Sequence, residues 1–327
     1  MPAYVPSGAP VLVALALLLT LLLANTFALM RRAPDAAGRP LAWVMLVAGV
    51  WAAHEFCRDQ PPGFRMLALI AAGLLGMKGI VLVEERRRGL APLPFARWLG
   101  FTAAWPGMQP RLFARRAAPG ALPGTRALLA RGLVRIACGA VLVALARLAW
   151  VALQSRLLVS ACLLAGLSLL LHFGLCNLLA GAWRACGVPC DALFRAPLRA
   201  QSLAEFWARR WNLAFSEMTS IAVYRPLSRA IGRGPAVMAG FLASGLLHEM
   251  AISLPARAGY GGPLLYFALH GGLLLVERAR AASGRPLEGW AGRLWTVVWL
   301  VAPLPLLFHR PFLEGVVWPL IGMRAMP

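Results

Sequence analysis

Charge is scarce in this sequence of 327 residues. Asp, Glu, Lys and Arg together make up 14% of it, where soluble domains average about 25%. Acidic groups are the scarcer sign, 12 against 33 basic ones, and Lys78 is the only lysine. So little charge excludes an ordinary soluble enzyme and a disordered tail. Cysteine is also sparse: Cys57, Cys138, Cys162, Cys176, Cys186 and Cys190 show no paired spacing, which excludes a disulfide-stapled secreted module. Cys186 and Cys190 flank Gly-Val-Pro, but no second pair follows to complete a zinc site. The chain has no Gly-x-Ser-x-Gly elbow, no His-Glu-x-x-His zinc motif and no Walker loop. It offers neither a metal set nor a serine nucleophile of those kinds. What is abundant is apolar surface: 60% of the residues are hydrophobic, and the mean hydropathy is +0.69. The chain reads as an all-α polytopic membrane protein.

A membrane helix needs about 20 mostly apolar residues. Eight stretches qualify: Val11–Met30, Leu41–Phe56, Phe64–Val83, Leu128–Leu153, Leu157–Trp183, Pro235–Leu254, Gly261–Val276 and Trp290–Phe308. The second and seventh are short. Between these spans, the odd-numbered loops carry 24 arginines. The even-numbered loops, counting the tail with Arg310 and Arg324, carry six. Positive residues collect on the cytoplasmic side, so loops three and five are expected in the cytoplasm and both termini outside. The arginines are spread over many loops rather than gathered on one reading element, which argues against nucleic acid. Arginine in place of lysine looks like a bacterial compositional habit, and a bacterial inner membrane is the expected location. The whole chain, 1–327, reads as one integral membrane domain.

Loops three and five mix Trp, Phe and Arg, as amphipathic helices at the headgroup level do. In the fifth, Ser202 and Glu205 form a capping-box pattern for a helix start. A continuous helix from there would set Trp207, Trp211 and Phe215 on one stripe, with Arg209 and Arg210 off it and Asn212 beside it.

Ionisable groups inside spans carry functional hypotheses by default. Lys78, Arg135 and Arg147 sit where their side chains can snorkel to an interface, and a lone His172 reads as a core histidine. His248 has company. Ser244 lies one helical turn before it, Glu249 follows it, and Gly245 allows another backbone to approach. His270 is the natural second member of such a site. Neutral imidazole accepts a proton near neutral pH. A general base without a protein nucleophile favours direct attack by a substrate hydroxyl.

Three stretches occur in order: Phe206-Trp207-Ala208-Arg209-Arg210-Trp211-Asn212, Ser244-Gly245-Leu246-Leu247-His248-Glu249 and Phe267-Ala268-Leu269-His270-Gly271. Together they resemble the wax synthase-like branch of the membrane-bound O-acyltransferases (MBOAT), over about residues 198–277. Ala208 stands where plant wax synthases usually carry Gly. The resemblance implies an MBOAT-like fold and transfer of an acyl group from a thioester to a hydroxyl. It implies that His248 is catalytic and that Asn212 is the second signature residue. The thioester of acyl-CoA or of an acyl carrier protein would be a co-substrate rather than a resident cofactor. The other partners expected are a lipophilic hydroxyl acceptor, foremost a long-chain alcohol, and membrane lipids.

In that frame His248 would deprotonate the acceptor, and Asn212 would meet the developing oxyanion or orient the thioester. Glu249 or Ser244 would fix the imidazole tautomer. Trp207, Trp211 and His270 would line the site, and Arg209 and Arg210 would hold donor phosphates. The competing class is a transporter or flippase relaying protons through His248, Glu249 and His270. One tension accompanies the enzyme reading: from Pro235, His248 lies about 20 Å along its helix, so a cytoplasmic donor needs a funnel to reach it.

Overall fold

The computed structural model describes residues 2–32 and 37–323; Arg324, counted above in the tail, lies outside them. The described chain is 78% helical and, among these residues, has no strand. Nine long helices organise it: α1 Ala9–Arg32, α2 Gly38–Phe56, α3 Pro62–Arg87, α4 Thr125–Leu153, α5 Arg156–Ala185, α6 over 213–230, α7 Arg233–Ala256, α8 Gly262–Ala282 and α9 Gly289–Leu307. All eight expected spans are helices at the expected places. Among the described residues, six are long and apolar enough to cross a membrane: α1, α3, α4, α5, α7 and α9. The exceptions, α2 and α8, are the two stretches that read as short, and each has polar residues in its last turns: His54 and Glu55 in α2, Glu277, Arg278 and Arg280 in α8.

Leu17, Leu21, Trp51, Val151 and Leu157 point outward from their helices and are well exposed. A soluble protein does not display such a belt, whereas acyl chains solvate it. The molecule is an integral membrane protein. Its centre is α3, which packs against α1 and α2 and is buried over 61% of its apolar window, against 11% for α1. Small residues close the α4–α5 contact. A Cβ added at Gly139 would stand 2.8 Å from the Gly166 carbonyl oxygen, so this crossing admits nothing larger.

The fold corrects the reading of one basic residue. Lys78 does not snorkel. It is fully buried, its Nζ donates to the carbonyls of Trp105 (2.7 Å) and Gly107, and it lies 3.8 Å from the Phe101 ring centre. The loop after Phe95–Ala103 folds in over α3 and supplies the solvation that water would give. At the basic end of α3, Glu84 accepts two bonds from Arg39 (2.5 and 3.0 Å), while Glu85 pairs with Arg88 and Arg111. The few acids thus sit where arginines gather.

Candidate active site

His248 closes the regular part of α7, and the next residues, Glu249–Ser253, form a wider π-helical turn. Such turns are costly and concentrate at functional sites. His248 Nδ1 lies 2.8 Å from the Ser244 carbonyl oxygen. A carbonyl only accepts, so Nδ1 carries the proton and Nε2 keeps its lone pair. It is therefore the backbone of Ser244 that fixes the tautomer. The imidazole lies 4.3 Å from the Phe267 ring and 6.0 Å from Phe215, centre to centre. Gly245 permits this arrangement: a Cβ there would lie 2.9 Å from Leu264 Cα on α8.

The stretch before α6 starts as expected and then departs from a single helix. Ser202 Oγ accepts from the Glu205 amide at 3.0 Å, the cap its spacing predicts. Glu205 reaches back to the Gln201 amide at 2.8 Å and holds Arg210. The Gln201 amide, and after it the Arg210 guanidinium, keep the Glu205 carboxyl below the usual carboxylate range. Glu277, which the sequence did not single out, accepts from the Leu203 and Ala204 amides (2.7 and 3.0 Å) and from the Trp295 indole. Phe206–Arg210 is a second π-helical turn. Trp211 is then extended, and Asn212 takes φ +42°.

Left-handed backbone ends a helix, and asparagine is among the few side-chain-bearing residues that adopt it readily. Asn212 Oδ1 then accepts from the Phe215 amide at 3.3 Å, capping α6. The expected Trp207, Trp211 and Phe215 stripe is thereby split. Trp207 and Phe215 face the His248 side, whereas Trp211 stacks on Phe206 and packs against Phe194 and His172. His172 belongs to that second aromatic cluster, away from His248.

Trp207 lies 5.5 Å from Phe267 and 5.4 Å from His270, and its indole N–H is buried without a hydrogen-bond partner among the described residues. His270 is fully buried and its Nδ1 is held by the Tyr266 carbonyl at 2.8 Å. Glu249 turns from the imidazole to cap α8, accepting from the Gly261 and Leu264 amides (2.9 and 3.0 Å). Among the described residues, no direct hydrogen bond joins His248, Glu249 and His270. Arg210 is taken up by Glu205 and by the Arg195 and Ala196 carbonyls. Arg209 lies exposed at a cavity mouth.

Two adjoining cavities serve this region. The first, about 240 Å3, is lined by Trp207, Phe215, Phe241 and Leu274. It follows α7 from Ala236 inward to Ser244, with Arg278 also on its wall. Eight residues of helix span about 12 Å, so the cavity runs from the basic end to within one turn of His248. A cavity thus follows the route that the enzyme reading called for, but it stops at Ser244 and His248 does not line it. Its polar side is Ser216, Thr219, Ser220 and Tyr224 of α6, which the sequence reading missed. Their spacing of three to four residues was the available signal.

The second cavity, about 750 Å3, is polar and shares Ala208, Ser216 and Ser220 with the first. Arg111, Arg195, Arg209 and Arg225 surround it, with Glu85 and Glu217. Burial pushes the Glu217 carboxyl up, against an opposing 2.5 Å bond from Gln109.

Residues 190–269 match the Membrane bound O-acyl transferase family. Among curated proteins, the chain is 32% identical over 139 residues to the probable long-chain-alcohol O-fatty-acyltransferase 6 of Arabidopsis thaliana, covering 37% of this chain and 40% of that one. It is 34% identical over 103 residues to the long-chain-alcohol O-fatty-acyltransferase of Simmondsia chinensis, covering 28% and 29%. The probable long-chain-alcohol O-fatty-acyltransferase 7 of Arabidopsis thaliana is 32% identical over 120 residues, covering 32% and 35%. The chain thus spans two fifths or less of the length of these relatives. All three are plant proteins, so they lend no support to the expected bacterial membrane.

Proposed function

We propose that this chain, whose residues 190–269 match the membrane bound O-acyl transferase family, is a wax synthase-like member of it and transfers a fatty acyl group from acyl-CoA to a long-chain alcohol. The observation that carries the reading is the apolar cavity that follows α7 to Ser244, one turn before His248, beside an arginine-lined cavity that shares Ala208, Ser216 and Ser220 with it. The named activity of the plant relatives supports the same class.

In this reaction the alcohol oxygen attacks the thioester carbonyl carbon while His248 Nε2 takes the hydroxyl proton. The carbon–sulfur bond then breaks, and the imidazolium returns the proton to the leaving thiolate. The products are an ester and free CoA. General-base assistance of this kind contributes typically ~10²–10⁴-fold. Asn212 uses Oδ1 as the α6 cap, and its Nδ2, which serves no cap, is the donor proposed for the oxyanion that develops on the carbonyl. The unpaired Trp207 indole N–H on the wall of the apolar cavity is a second donor for substrate oxygen. Arg111, Arg209 and Arg225 at the polar cavity suit the phosphates of the donor. The apolar wall excludes water and so protects the thioester from hydrolysis. With the arginine-rich loops in the cytoplasm, the donor enters from that side.

The test is a product screen in detergent, where no compartment exists and transport alone yields nothing. Radiolabelled palmitoyl-CoA is offered with a panel of long-chain, sterol-like and glycan hydroxyls. A labelled ester with a long-chain alcohol is expected. No ester with any acceptor, from folded protein that binds acyl-CoA, contradicts the proposal.

A further inference from the structure

A third cavity, about 450 Å3, lies where α4 begins and α5 ends, sharing only Arg195 with the polar cavity and no residue with the apolar one. Five arginines line it: Arg131 and Arg135 from α4, Arg184 from α5, and Arg195 and Arg210 from the loop between α5 and α6. Only Arg195 and Arg210 have carboxylate partners, Asp191 at 3.0 Å and Glu205 at 2.6 Å. Arg131 and Arg184 bond only to backbone carbonyls, and Arg135 lies over the Phe173 ring at 5.4 Å. Asp191, the partner of Arg195, also lines the cavity, and three guanidinium groups there have no carboxylate partner among the described residues.

Two further features mark the same place. Asn177 lines the cavity, is 1% exposed, and has both amide atoms buried without a hydrogen-bond partner. An unsatisfied buried amide is expensive and calls for a partner that the protein does not supply. Gly124, also on the wall, precedes the first residue of the 29-residue helix α4, and no side chain caps that terminus. Its first amides point outward with the positive end of the helix dipole, which favours an anion.

We infer that this cavity is a phosphate site at the membrane surface, which takes the headgroup of an anionic phospholipid. Guanidinium forks match phosphate oxygens in geometry as well as charge. The Asn177 amide can give the same group a hydrogen bond. The cavity stands at the basic ends of two helices long and apolar enough to cross a membrane, and basic pockets between such helices hold anionic lipids. The same chemistry would accept a soluble phosphate. The inference does not depend on the acyl-transfer reading, since the charges, the uncapped helix and the unpaired amide stand whatever reaction the apolar cavity serves.

The test uses the full chain in lipid nanodiscs with a photoactivatable phosphatidylglycerol whose reactive group is on the headgroup. Label is expected on the peptides around Arg131–Arg135 and Arg184–Arg195. Excess phosphatidylglycerol should displace it and phosphatidylcholine should not. Displacement by inorganic phosphate as well would show that the site also takes a soluble phosphate. In detergent, phosphatidylglycerol should raise Tm by about 5 °C, and the Arg131→Gln, Arg135→Gln double variant should lose most of that rise. Label spread evenly over the chain, or unaffected by either competitor, overturns the site. A full Tm rise in the folded double variant does so too. The labelling arm uses the wild-type protein, so it decides the matter even where the variant does not fold.

Discussion

Asn212 carries two separable duties in one amide. Its Oδ1 caps α6 and its backbone takes the left-handed turn that splits the aromatic stripe, while Nδ2 is the proposed donor to the oxyanion. Asn212→Asp keeps an acceptor for the Phe215 amide but has no amide N–H. It should leave thermal stability close to wild type while lowering kcat by about 10²–10³, the typical cost of one oxyanion donor. Asn212→Gly suits the backbone and costs only a few tenths of a kcal/mol as a cap, with the same loss of kcat. If both variants keep full kcat, Asn212 is a structural cap and nothing more. The resemblance marked Asn212 as a signature residue, but no pattern in the sequence announced a left-handed break there. The helical period placed Trp211 with Trp207 because periodicity assumes a continuous helix. One residue at φ +42° removed that premise.

At the scale of elements, the wide turns and caps set the geometry. The helix that carries Trp207 is anchored at its start by Ser202, by Glu277 from α8, and by the Glu205 bonds to the Gln201 amide and Arg210. The Glu205 carboxyl has a lower pKa in the folded chain than when free, so the unfolded state binds its proton more readily. The stabilisation is complete above the ordinary value of 4.5 and fades as pH falls through the folded-state value below it. Glu205→Gln should therefore lower Tm at neutral pH, and the gap to wild type should close in acid. Melting curves across the acid range check this; a gap that widens in acid contradicts the assignment. The Ser202 cap was readable from spacing, because capping is a local interaction. The Glu277 contribution was not, since it joins residues more than seventy positions apart. Glu249 went the same way: adjacency suggested a role on His248, whereas a tertiary contact gives it to the α8 terminus.

For the whole molecule, eight apolar runs were enough to place the expected long helices, because hydrophobic length is a global constraint. What they did not specify is how loops three and five fold back. Loop three buries Lys78 beneath two carbonyls and brings Arg111 beside Arg209 and Arg225 at the polar cavity. On the proposed reading the acyl donor enters there. Arg111→Ala combined with Arg225→Ala should raise KM for acyl-CoA with little change in kcat. The effect should shrink as salt is raised from about 0.01 M toward 0.15 M, where the screening length drops to ~8 Å. A kcat loss that does not depend on salt would place these arginines elsewhere in the cycle.

The central claim is that His248 Nε2 is the base for attack by the alcohol. The most direct measurement is single-turnover ester formation from radiolabelled palmitoyl-CoA and a long-chain alcohol, comparing wild type with His248→Gln. The glutamine amide can still donate to the Ser244 carbonyl but is no base at neutral pH. The account predicts a fall of about 10²–10⁴-fold in the chemical step, with acyl-CoA binding and Tm unchanged. A variant that folds, binds acyl-CoA and forms ester at the wild-type rate would contradict it.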